Sequence, residues 1–126
     1  MRIHALDHVQ LSMPRGQESL GRRFYGEILG LREVDKPEAL ASAGGCWFEG
    51  PGTAVHLGVE DDFHPARKAH VAFRVRDLKG ARQALLEAGL PVREASPVPG
   101  LPPRFFSTDL FGNRLEFIED KGGRSD

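Results

Sequence analysis

The chain is short of cysteine, of long apolar runs and of charge imbalance. Cys46 is the single cysteine among 126 residues, which excludes an internal disulfide and a thiolate metal cluster. No apolar run approaches the ~20 residues that a bilayer crossing requires, and the opening MRIHALDHVQ lacks the apolar core of a secretion signal. Seventeen Lys and Arg stand against eighteen Asp and Glu, for a net charge of −1, and no basic cluster rises above ordinary surface spacing, which argues against nucleic acid. These absences point to a cytoplasmic protein with neither nucleic acid nor membrane as a partner.

The length and a hydrophobic content of 40% suit one domain with a sizeable core. Val9, Leu11 and Met13 alternate with His8, Gln10 and Ser12, the period of a strand with one apolar face. Leu20, Phe24 and Ile28 then recur every four residues, a buried helical stripe, and Gly30 supplies the stop. Leu31 to Val34 reads as a short strand and DKPEALASAGG as a loop. CWFEG and TAVHLGVE read as strands across a GPG turn. The second half repeats this order. HVAFRV is a strand; Asp77 caps a helix with Leu78, Ala81 and Leu85 on one face; Gly89 ends it; PVREA, RFFSTDL and NRLEFIE follow as strands. His8 and His70, Gly30 and Gly89, and His56 and Glu116 are each offset by roughly 60 residues, the mark of a duplicated unit. The fold class is therefore α+β, two βαβββ modules related by pseudo-twofold symmetry. A single domain is expected over 1–126, with module one at about 4–61, module two at about 68–119 and a flexible tail at 120–126.

Strand side chains alternate between faces. With Val9, Leu11 and Met13 against the helix, His8 faces the other way. The same alternation places His56, His70 and Glu116 on the non-helical face of their strands, together with Arg74. If the sheets curl, that face lines a cleft, and the small residues Ser12, Gly58 and Ala72 leave room there for a ligand. Three imidazoles and a carboxylate suit a borderline divalent ion such as Zn, Ni, Fe or Mn. Open positions on such an ion let it act as a Lewis acid. His4 lies about 13 Å from His8 along an extended chain, too far to share an ion, and His64 sits in the polar stretch DDFHPARK; both read as surface residues. Tyr25, in the predicted helix, reads as a packing residue.

LDHVQL, FYGEILGL, KAHVAFRV and FGNRLEFIE resemble the signature stretches of the vicinal oxygen chelate superfamily, which includes glyoxalase I, extradiol dioxygenases, fosfomycin-resistance proteins and bleomycin-binding proteins. The resemblance runs from about Leu6 to Glu119. It implies paired βαβββ modules forming a curved sheet around a cleft, a homodimer, and metal ligands at His8, His56, His70 and Glu116. Glyoxalase I carries a glutamate where His56 stands, so a three-ligand site of His8, His70 and Glu116 is open as well. The activity implied is metal-dependent: the ion chelates two adjacent oxygens of a small substrate and stabilises an oxyanion, with Glu116 as ligand, as catalytic base, or as both in turn. Arg74 and Arg104 are candidates to hold a substrate carboxylate, and Phe106, Phe105 and Trp47 to wall the pocket. The alternative is a metal-free binding protein that sequesters a small molecule, as bleomycin-resistance proteins do; four retained ligand positions weigh against it.

Overall fold

The computed structural model describes residues 1–121, so most of the tail expected at 120–126 lies outside the described residues. Asp120 itself is tied down, its amide donating to the Val75 carbonyl at 2.8 Å. The chain forms two compact units, Met1–His64 and a second from Pro65 onward.

In the first unit β1 (Val9–Met13) is followed by α1 (Glu18–Gly21), β2 (Arg32–Val34), β3 (Cys46–Gly50) and β4 (Thr53–Val59). The sheet order is β1-β4-β3-β2, with β1 parallel to β4 and the other pairs antiparallel. In the second unit β5 (Val71–Val75), α2 (Leu78–Glu87), β6 (Arg93–Glu94), β7 (Arg104–Thr108) and β8 (Arg114–Glu119) form a sheet of order β5-β8-β7-β6. Here β5 is parallel to β8 and the other pairs are again antiparallel. The duplication extends to register: Gln10 pairs with His56 and Ala72 with Glu116. His56 and Glu116 thus occupy equivalent positions in their sheets.

Two elements depart from the sequence reading. The first helix is α-helical for one turn only and continues as a π-helical segment, Arg22–Ile28, in which the Leu29 amide reaches the Phe24 carbonyl at 2.8 Å. The wider turn lets two neighbouring aromatics enter the core together. Phe24 and Tyr25 are both fully buried, Tyr25 tilted against Phe48 at 5.8 Å, while Leu20 and Ile28 are half-buried. The segment read as a loop holds a 3₁₀ helix, Glu38–Ala43, exposed along its length. It leads to Gly45, whose amide donates to Glu18 Oε2 at 2.8 Å. Gly45 has φ +85°, and a Cβ there would collide with the Leu57 carbonyl oxygen.

The capping reading is met as expected. Asp77 Oδ1 accepts from the Gly80 amide at 2.9 Å, satisfying a donor that the first turn of α2 leaves without a partner. Leu78 and Leu85 bury one face of α2, and Phe105, Leu115 and Phe117 are the sheet residues of that core, with Phe105 stacked on Phe117 at 5.2 Å. In the first unit Met13, Phe24, Tyr25, Phe48, Val55 and Leu57 form the core. Cys46 is also buried there, and burial pushes its thiol up to about 11; it is a packing residue rather than a nucleophile. Among the described residues no helix is long and apolar enough to cross a membrane.

Candidate metal centre

Each unit brings two of the four candidate ligands together on the sheet face opposite its helix. In the first unit Phe48 and Val55 pair across β3 and β4, both buried. Alternation therefore turns their neighbours Trp47 and His56, also a cross-strand pair, to the other side. The two rings stack at 3.8 Å and 3°. His8, just before β1, stacks on His56 at 4.0 Å and 17°. His8 is the outer ring, its side chain 36% exposed and its Nδ1 2.8 Å from Asp7 Oδ2. His56 is buried, and its pKa is lowered by that burial and then by the neighbouring His8; both causes favour a neutral ring. The lone pairs of two nearly parallel rings do not converge, so in this stacked arrangement one ring of the pair can direct a nitrogen at a given ion. The room expected beside Gly58 is taken within the chain: a Cβ there would lie 2.6 Å from the Gln10 side-chain nitrogen.

The second unit holds His70 and Glu116. Glu116 is 6% exposed. Its Oε1 lies 2.9 Å from His70 Nε2, and its Oε2 accepts from Arg104 Nη1 at 3.0 Å. His70 Nδ1 lies 3.0 Å from the Lys68 carbonyl. That carbonyl can only accept, which assigns the Nδ1 proton and leaves Nε2 as the ligand nitrogen, the usual outer support for a metal-binding imidazole. With that tautomer, Nε2 and the carboxylate oxygen stand side by side as two ligand-type atoms. Two ligands each ~2.1 Å from one ion and at right angles are about 3.0 Å apart, close to the spacing seen. The donor set and its spacing therefore fit a borderline divalent ion. Among the described residues no group of three or more His, Cys, Asp or Glu side chains is placed to hold an ion; the ligand-type groups come as one pair in each unit.

The remaining candidates divide. Phe106 pairs with Glu116 across β7 and β8 and meets the His70 ring edge-on at 5.5 Å. Phe105 belongs to the helix side, under Arg82. Arg74 is exposed, separated from Arg104 by Ile118 in one cross-strand row. His4 and His64 are exposed, His64 lying 3.5 Å from Asp62. The sequence reading missed Arg93 and Arg114, whose guanidinium groups lie 4.6 and 5.4 Å from the centre of the Phe106 ring. Arg93 pairs with Phe106 in the ladder, a register visible only once the strands are aligned. It also missed Asp109, buried in the β7–β8 turn.

Paired βαβββ units with metal-type side chains on the face away from the helices define a glyoxalase-type module. The chain belongs to the Glyoxalase/Bleomycin resistance protein/Dioxygenase superfamily, whose model matches residues 5–117. A glyoxalase family protein from Bacillus anthracis is 44% identical with a TM-score of 0.87, covering 96% of this chain and all of that one. A glyoxalase/dioxygenase from Nostoc punctiforme is 25% identical with a TM-score of 0.71, over 91% of this chain and 90% of that one. The fosfomycin resistance protein FosX from Listeria monocytogenes shares the fold at 15% identity and a TM-score of 0.81, over 95% of each chain. That FosX structure is of a mutant complexed with Mn(II) and 1S,2S-dihydroxypropylphosphonic acid. No curated protein matches the chain significantly.

Proposed function

We propose that the protein is a metal-dependent enzyme of this superfamily that acts on a small oxygenated substrate. His8, His70 and Glu116 hold one divalent ion, Zn, Ni, Fe or Mn. The observation that carries this reading is the His70–Glu116 contact at 2.9 Å, with His70 oriented by the Lys68 carbonyl and Glu116 held by Arg104. When bound, the ion supplies Lewis acidity to two adjacent substrate oxygens. Arg104 holds Glu116 Oε2, so Oε1 is the oxygen turned toward the ion, and it takes a proton from the substrate only by exchanging off the ion. Phe106 walls the His70 side, and the Trp47–His56 stack backs His8. Arg74 and Arg104, both level with Ile118 in the ladder, are candidates to hold a substrate carboxylate. The protein works as a homodimer; a one-chain mass by sedimentation equilibrium would contradict that.

Metal analysis of protein purified without added metal tests this reading, with Mn(II) as the first ion for reconstitution. Close to one ion per chain and turnover lost to a chelator support it; metal-free protein that binds small molecules without turnover contradicts it. The same assay separates the histidines. His56→Leu and His64→Ala are expected to keep metal content within about twofold of wild type. A loss in His56→Leu as large as that in His8→Ala would make His56 a fourth ligand.

A further inference from the structure

Three arginines of the second unit surround a pocket of about 440 Å³ with Phe106 in its wall. They are Arg67, Arg93 and Arg114, and the lining contains no acidic residue. Arg93 and Arg114 stack toward the Phe106 ring at 4.6 and 5.4 Å. Arg114 Nη1 also donates to the Arg67 carbonyl at 2.8 Å, which fixes its direction. Elsewhere Arg15, Arg22, Arg82 and Arg104 each meet a carboxylate. Among the described residues Arg67, Arg93 and Arg114 meet none. The ring face offsets part of the repulsion between gathered guanidinium groups, and an anion between them would offset more. Thr108, opposite Arg114 in the ladder, adds a hydroxyl to the lining.

We propose that this pocket is an oxyanion site formed by Arg93, Arg114 and Arg67, which takes the phosphate, phosphonate or carboxylate group of the ligand. Because Phe106 contacts both this pocket and His70, the bound molecule carries its negative end here and its adjacent oxygens toward Glu116. Assigning the oxyanion to the substrate rests on the metal-dependent reading. Oxyanion binding itself does not, and it is measured on metal-free protein, so the two can fail separately.

The test is titration of metal-free protein with inorganic phosphate at constant ionic strength, followed by the arginine Nε–Hε resonances, with acetate as a second arm. Saturable shifts at Arg93 and Arg114 are expected, with binding weakened about tenfold in Arg93→Gln and in Arg114→Gln. Tighter phosphate than acetate assigns a phosphorus oxyanion; equal or tighter acetate assigns a carboxylate. Both variants alter exposed or half-buried side chains, and an unchanged circular dichroism spectrum and urea-unfolding midpoint for each confirm an intact fold. Shifts that stay linear in both ligands, or affinity unchanged in both variants, would overturn the proposal.

Discussion

His70→Ala is expected to lower divalent-metal affinity by at least about 100-fold, more than the ~10–100-fold typical of losing an outer-shell partner. The substitution removes the Nε2 atom 2.9 Å from Glu116 Oε1. It leaves the carboxylate nine-tenths buried, with Arg104 as its remaining side-chain partner. Arg104→Gln is the matched comparison. It removes a group that orients Glu116 without being a ligand, so it should fall within the smaller range. Competition with a fluorescent chelator, read for Mn(II), ranks the two. If Arg104→Gln costs as much as His70→Ala, the arginine is needed for more than orientation. If His70→Ala binds as wild type does, His70 is no ligand.

The second large effect is on stability. Asp109 is 1% exposed, and its carboxylate accepts from the Phe111 amide at 2.8 Å and from the Asn113 amide and side-chain nitrogen, both at 2.9 Å. Asp109→Ala leaves these donors without that acceptor in a tight turn. At about 1–3 kcal/mol for each buried group left unsatisfied, a loss of roughly 3–5 kcal/mol is expected, large for one substitution. Urea unfolding monitored by circular dichroism measures it, and a loss below about 1 kcal/mol would show that water replaces the carboxylate. The turn also matters to the site, because it sets the β7–β8 register that places Phe106 beside Glu116.

Much of this arrangement was legible in the sequence because strands alternate with an invariant period. The apolar residues Val55 and Leu57 fix the side on which His56 lies, and Leu115 and Phe117 do the same for Glu116. The helix stops at Gly30 and Gly89 were legible too, since both adopt positive φ, +78° in each case. The π-helical turn was not: Leu20, Phe24 and Ile28 fit an α-helical stripe, and although Tyr25 read as a packing residue, nothing in that spacing reports that the turn widens to bury Phe24 and Tyr25 side by side. Nor was the filling of the space at Gly58, which depends on the reach of Gln10 from the neighbouring strand. The Phe106 arginine cluster draws on β6, β7 and β8. No periodicity within one segment reports which residues of three strands stand side by side.

The stacking of His8 on His56 divides the histidines most sharply. His8 is the outer, more exposed ring of the stack and His56 the ring enclosed between it and Trp47, and the proposed reading makes His8 the ligand and His56 its support. With the His70–Glu116 contact, the proposed reading is specific: one ion, two imidazoles and one carboxylate, with His56 outside the bonded set.

An anomalous-difference map from crystals soaked in Mn(II) tests this directly. The account predicts one strong peak within about 2.3 Å of a His8 ring nitrogen, His70 Nε2 and a Glu116 oxygen. A peak bonded to His56 in place of His8, or no peak beside Glu116 in fully soaked crystals, would contradict it.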